Sequence, residues 1–244
     1  MSLKLYDSHT WIWPLLSPPE DYEEEATIYR DLLFAQGVSE GSTLLHLGSG
    51  GGSLDWWFKR WFQVTGVDLS ESMIAHAQTV NPEVEYVQGD LQNVRLKRQF
   101  DAVVLHDAIA YMTTKDQLES AYKTIAAHLK PEGAWLNLPE AVREHFEEGK
   151  VDHQFHTDGV RSVTTIMEHH DPDPRDTEYE HTFVFLAREG EKTEVTVDVH
   201  KMGLFPLRAF VDAAKSAGLE TQHKAYMLDD MDYPLDVLCG PTSE

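Results

Sequence analysis

The stretch HLGSGGGSL puts four glycines, Gly48, Gly50, Gly51 and Gly52, within five positions directly after an apolar run. Glycine at this density serves a backbone that turns sharply and lets another group come close. A turn from strand to helix is also where an open α/β sheet holds its ligands. Alone, the turn fits a dinucleotide, a nucleoside or a purely structural bend. Asp68 narrows the choice, because it follows Gly48 by 20 residues, the separation at which a carboxylate reaches ribose hydroxyls. Asp90, in QGDL, sits just past a third apolar segment. A carboxylate there accepts from the exocyclic amine of adenine, while the following backbone N–H, that of Leu91, donates to a ring nitrogen. HDAIAYM then brings His106, Asp107 and Tyr111 close together. His106 is a candidate base, with a strand-end histidine bonded to backbone as the structural alternative. Asp107 can hold a cation or cap a helix. The remaining histidines, His145, His153, His156, His169, His170 and His181, match neither a Cys/His zinc pattern nor HExxH, so no metal is expected.

The elements that must position these groups alternate. TLLHL (43–47), VTGVDLS (64–70), VEYVQGDL (84–91), the start of FDAVVLHDAIAYM (100–112) and AWLNLPE (134–140) have the composition of buried strands. LDWWFKRWF (54–62), ESMIAHAQTV (71–80) and KDQLESAYKTIAAHLKPEG (115–133) lie between them with helical periodicity. Such alternation predicts a Rossmann-like α/β fold: an open, mostly parallel seven-stranded sheet with helices on both faces. From 141 to 203 the pattern changes to alternating, β-rich segments separated by DPDPRD and EGEK, which predicts an antiparallel insertion. In TEVTVDVH, Val195, Val197 and Val199 fall on one face and Glu194, Thr196 and Asp198 on the other. FPLRAFVDAAKSAGL (205–219) returns to helix, and ETQHKAY and LDVLCG supply last strands. Four units result: an N-terminal aromatic and helical lid segment (1–40), in which Ser17 caps the first long helix; a ligand-binding core (41–140); the insertion (141–203); and the return to the core (204–244).

With 20 Lys and Arg against 42 Asp and Glu, the chain carries a formal charge of −22. Such a surface repels phosphate backbones, so no nucleic-acid partner is expected. Cys239 is the single cysteine, which excludes an intrachain disulfide scaffold. No basic leader with an apolar core and no apolar run of membrane-spanning length is visible, so a cytoplasmic protein without membrane contact is expected.

Taken in order, HLGSGGGSL, VTGVDLSESMIAHA, VEYVQGDL, FDAVVLHDAIAYM and AHLKPEGAWL resemble the motifs of class I S-adenosylmethionine-dependent methyltransferases over residues 40–140. YDSHTWIWPLLSPPEDYEEEA and TVDVHKMGLFPLRAFVDAAKSAGL are similar to the two ends of the small bacterial branch that dimethylates amino groups on nucleotide-linked sugars. HDAIAYM departs from the small, serine-containing sequence of that branch. The resemblance implies S-adenosyl-L-methionine as cofactor, with Gly48, Ser49 and Gly50 facing its methionine part, Asp68 the ribose, and Asp90 with Leu91 the adenine. Leu69 and Met73 would pad the adenosine, and Asp107 would contact the methionine ammonium or a cationic acceptor. Tyr111 matches a position where the sugar N-methyltransferases place Tyr or His near the acceptor. The acceptor cavity is therefore expected among Tyr22, His106, Tyr111 and His200, with Tyr111 and His106 as candidate catalytic groups. Tyr6, Trp11, Trp13 and Tyr22 would form a lid, since aromatic faces suit a sulfonium. The expected function is methylation of a small-molecule acceptor, an amine being one option, in a possible homodimer. A non-catalytic S-adenosylmethionine-binding protein and an NAD-dependent oxidoreductase are the alternatives. The latter shares the glycine turn and Asp68 but does not account for Asp90.

Overall fold

The computed structural model describes residues 3–139, 141–226 and 235–241; residue 140, the end of the expected fifth strand, lies outside them. The chain begins as a train of turns leading into α1 (Trp13–Leu16), then a 3₁₀ turn at Pro19–Tyr22 and α2 (Glu23–Ala35). Ser17 does not cap the long helix. It closes α1, and its hydroxyl lies 2.7 Å from Tyr22 Oη, leaving α2 without a side-chain cap. The prolines are the reason: Pro19 forces Pro18 to stay extended, at ψ 146°, so the helix cannot start there. Glu23, Glu24 and Glu25 instead compensate the N-terminal dipole of α2.

The core follows as β1 (Thr43–Leu47), α3 (Asp55–Phe58), β2 (Gln63–Asp68), α4 (Glu71–Val80), β3 (Glu85–Gln88), β4 (Phe100–Leu105), α5 (Lys115–His128) and β5 (Leu129–Asn137). Two helices are shorter than their patterns. α3 is a single turn, because beyond Phe58 the hydrogen bonds tighten to i−3, Arg60 N to Trp57 O and Trp61 N to Phe58 O. α5 starts with a capping box, Thr114 and Gln117, but ends at His128. Pro131 disfavours helical backbone at Lys130, and the strand begins before it.

The insertion is β6 (Val151–Thr157), β7 (Arg161–His170), β8 (Glu178–Glu189) and β9 (Lys192–Gly203), a separate four-stranded antiparallel sheet. α6 (Leu207–Ser216), β10 (Gln222–Tyr226) and β11 (Leu235–Pro241) complete the core. The large sheet runs in the order β10-β11-β5-β4-β1-β2-β3; β1 to β5 are parallel, and β11 and β10 are antiparallel additions at one edge. Along β1, Leu45 and Leu47 pack in the core shared with α5 and α6, while Leu44 packs in the one shared with α2 and α3. The chain order reverses across β1 and β4, and an open α/β sheet has its ligand crevice at such a point. Among the described residues no helix is long and apolar enough to cross a membrane.

The alternation expected in β9 is present, with an instructive orientation. Val195, Val197 and Val199 are 61%, 49% and 43% exposed, and the polar residues between them are buried. The inner face is committed to polar contacts with the N-terminal segment: Leu5 N donates to Asp198 Oδ2 (2.8 Å), and Thr196 Oγ1 lies 2.9 Å from His9 Nε2.

Candidate active site

The carboxyl ends of β1, β2, β3 and β4 open into one cavity of about 760 Å³, roofed by the N-terminal segment and the inner face of the antiparallel sheet. Gly48, Ser49, Gly50, Asp68, Leu69, Met73, Asp90, Leu91 and Asp107 all line it. Gly48 has φ +71°, and a Cβ there would meet Ala108 Cβ at 2.1 Å; at Gly51 a Cβ would meet Trp13 Nε1 at 2.2 Å. Those two glycines make room for the protein itself. Gly50 differs: at φ +52° its Cβ would meet nothing nearer than Met73 at 3.6 Å, so the approach to its backbone is open. Asp68 fixes this turn, accepting from Gly50 N through Oδ2 and from Ser70 N through Oδ1, both at 2.8 Å. Burial raises its carboxyl above the usual range, against the pull of those amides. Asp90 accepts from Gln92 N (2.8 Å), which shapes the loop after β3.

Two polar networks stand at the other end. His106 Nδ1 is 2.8 Å from Tyr29 Oη and 3.3 Å from Glu25, and its Nε2 is 2.8 Å from Asp107. Side chains from α2 thus hold the His106 ring. Burial raises the Glu25 carboxyl, with His106 acting in the opposite direction. Asp107 opens the 3₁₀ turn Asp107–Tyr111 without capping it. In the second network Tyr111 Oη lies 2.9 Å from Tyr6 Oη and 2.8 Å from His200 Nδ1, and His200 Nε2 is 3.1 Å from Asp198. The Tyr111 hydroxyl donates to Tyr6, and a carboxylate beside Nε2 favours the proton there, leaving Nδ1 able to accept when that hydroxyl turns toward it. Burial lowers the His200 pKa, partly offset by Asp198.

The expectations for individual residues divide accordingly. Tyr22, His106 and Tyr111 reach the cavity wall, as do Tyr6 and Trp13. His200 does not: it is fully buried behind Tyr111. Trp11 is not part of the cavity either; it packs on the cluster of Leu5, Ile12, Val163, Phe185 and Ala187, where its apolar area is better covered. Sequence reasoning missed Glu25, Tyr29 and Asp198, and also a buried pair, His46 and Asp55, 2.7 Å apart. Tyr86 donates to Asp55 (3.0 Å), and Asn81 donates to Gly52 O (2.8 Å), so this network backs the glycine turn. Its one sequence signal was a histidine inside the apolar strand TLLHL.

The residues fit S-adenosylmethionine on their own terms. Trp13 Nε1, His46 Nε2 and Ser49 Oγ are buried polar atoms without a hydrogen-bond partner among the described residues, and their residues all line the cavity around the glycine turn. Buried polar atoms in this state are rare in folded proteins. Two donors and an imidazole nitrogen match the carboxylate and ammonium of a methionine moiety. Aromatic and carboxylate walls suit a sulfonium.

Comparison with known proteins agrees. A methyltransferase domain family matches residues 44–133. The dTDP-3-amino-3,4,6-trideoxy-alpha-D-glucopyranose N,N-dimethyltransferase of Streptomyces venezuelae is 31% identical, over 84% of this chain and 86% of the relative. The crystal structure of Streptomyces venezuelae DesVI superimposes with a TM-score of 0.83 at 26% identity, covering 93% of this chain and 94% of the other. CalS10, an amino pentose methyltransferase of Micromonospora echinaspora solved with S-adenosylmethionine bound, has the same fold: TM-score 0.79, 22% identity, 91% and 92% coverage.

Proposed function

We propose that this chain, which belongs to the S-adenosylmethionine-dependent methyltransferases of the amino-sugar N-methyltransferase branch, methylates the amine of an amino sugar. Its cofactor is S-adenosylmethionine and its acceptor a small-molecule amine. The observation that carries the reading is the meeting of Asp68, Asp90, the open Gly50 turn and Tyr111 in one cavity.

When bound, the cofactor supplies an activated methyl group on a positively charged sulfur. The protein's task is then alignment and exclusion of water, and orientation alone is worth roughly 7–11 kcal/mol. Asp68 holds the ribose hydroxyls, Asp90 and the Leu91 amide the adenine, and Trp13, His46 and Ser49 the amino-acid end. Leu69 and Met73 cover the adenosine. Tyr111 faces the acceptor and fixes its nitrogen by a hydrogen bond. A protonated acceptor amine must lose a proton before it can attack, and Tyr111 takes it as its own hydroxyl proton turns from Tyr6 to His200 Nδ1. Asp198, hydrogen-bonded to Nε2, favours the imidazolium that results. His106, held by Glu25 and Asp107, keeps a second polar group beside the acceptor. A homodimer formed through the exposed face of Val195, Val197 and Val199 completes the reading.

Incubation with S-adenosylmethionine and a panel of 3-amino and 4-amino sugars, followed by mass spectrometry, tests it. Products with one or two added methyl groups on nitrogen are expected. Methylation confined to oxygen or carbon acceptors would overturn the amine assignment.

A further inference from the structure

We propose that Thr165 is a specificity-determining residue of the acceptor site, its hydroxyl hydrogen-bonding an oxygen of the amino sugar. The inference rests on the amino-sugar reading above and adds to it a contact from the antiparallel sheet. Among the described residues, four that line the cavity carry a buried side-chain polar atom without a hydrogen-bond partner: Trp13, His46, Ser49 and Thr165. The first three surround the glycine turn. Thr165, only 2% exposed, comes instead from β7, in the sheet that roofs the cavity. None of the residues assigned to the cofactor belongs to that sheet.

Strand register accounts for the isolation of this hydroxyl. Thr165 lies opposite Gln154 on β6 and Phe185 on β8, and the next pair on the same face is Met167 with Phe183. Phe185, Met167 and Phe183 line the cavity beside it and offer apolar surface. Gln154 sits on the exposed edge strand, its Oε1 3.3 Å from His156 Nε2. The same wall continues to the Tyr111 network: the Phe183 ring is 4.8 Å from that of His200, which lies 2.8 Å from Tyr111 Oη. A hydroxyl buried among apolar groups costs free energy while it is unpaired. Valine suits a strand position of this kind without that cost. A threonine hydroxyl both donates and accepts, so it matches a sugar hydroxyl, which does the same. An acceptor with an oxygen at this point pairs the group. One without it leaves the group unpaired, which is how a site built around a hydrogen bond rejects an analogue.

Thr165→Val and Thr165→Ser, made in the full chain, separate the hydroxyl from the shape of the side chain. The probes are dTDP-3-amino-3,6-dideoxy-alpha-D-glucopyranose and its 3-amino-3,4,6-trideoxy counterpart, which lacks the 4-hydroxyl. Thr165→Val should lower kcat/KM about tenfold or more with S-adenosylhomocysteine affinity within about twofold, while Thr165→Ser stays within about threefold of wild type. A loss confined to the sugar with the 4-hydroxyl puts Thr165 on that group, and an equal loss on both puts it on an oxygen they share. Wild-type kcat/KM in Thr165→Val, or a loss in Thr165→Ser as large as that in Thr165→Val, overturns the proposal. So does an equal loss of S-adenosylhomocysteine affinity, which would put the hydroxyl on the cofactor. Without acceptor, Thr165→Val should melt no lower than wild type, because the hydroxyl gives up no bond among the described residues. A lower melting temperature overturns the proposal whether or not either sugar is methylated. Binding of S-adenosylhomocysteine with methylation of neither sugar overturns the amino-sugar reading, and this contact with it.

Discussion

Replacing Asp68 tests the cofactor site and the turn that builds it in one experiment. Asp68→Ala removes the acceptor of two buried backbone amides, Gly50 N and Ser70 N. Hydrogen bonds to a charged group are worth about 1.5–3 kcal/mol each. Relief from burying the carboxylate, whose pKa burial raises, offsets part of that loss. A net destabilisation of about 2–4 kcal/mol follows, which for a chain of this size lowers the melting temperature by about 5–15 °C. The fold should survive. Loss of the ribose contact adds about 1.5–3 kcal/mol in binding, a roughly 10- to 150-fold weaker dissociation constant for S-adenosylhomocysteine. Asp68→Asn keeps one acceptor oxygen, so its melting temperature should fall between the other two while its affinity drops into the same range. Differential scanning fluorimetry and isothermal titration read the two effects separately. Wild-type affinity in a folded Asp68→Asn chain would refute the ribose role. An unchanged melting temperature in Asp68→Ala would refute the anchoring of the glycine turn.

Tyr111→Phe should lower turnover about tenfold or more while S-adenosylhomocysteine affinity stays within about twofold, since its hydroxyl, bonded to Tyr6 and His200, is proposed to act on the acceptor; an equal loss in both would place it on the cofactor. The rate should fall on the acid side as His200 takes up a proton, at a pH below the ordinary imidazole range because burial lowers its pKa. Asp198 raises that pKa, so Asp198→Asn should move the acid limb of the kcat/KM profile to lower pH, and a shift upward would contradict the relay. Asp55→Asn, in a fully buried carboxylate paired with His46 and Tyr86, should cost about 2–4 kcal/mol in urea unfolding. Val197→Glu should shift the protein toward monomer in light scattering, and an unchanged mass would remove the outer sheet face as the contact.

The sequence by itself determined the alternation of strands and helices, the change to antiparallel pattern after residue 140, and the collinear set of Gly48, Asp68 and Asp90. Those features are local. Periodicity follows from what each segment buries, and the acids lie within a few residues of the strand ends that position them. Segment ends were less legible: α5 halts at His128, ahead of the Lys130 that Pro131 restricts, and α3 is a single turn that tightens into i−3 hydrogen bonds. Tertiary structure alone decided how the far end of the cavity, around His106 and Tyr111, is built. Glu25 and Tyr29 reach His106 from a helix some 80 residues earlier in the chain, and Asp198 meets Leu5 across a separation of 193 residues. It also decided which face of β9 turns inward. A period of two assigns Val197 and Asp198 to opposite faces but does not say which face is covered. That choice follows from the N-terminal segment, whose amide at Leu5 and hydroxyl at Tyr6 draw the polar side of the strand toward the cavity through Asp198 and Tyr111.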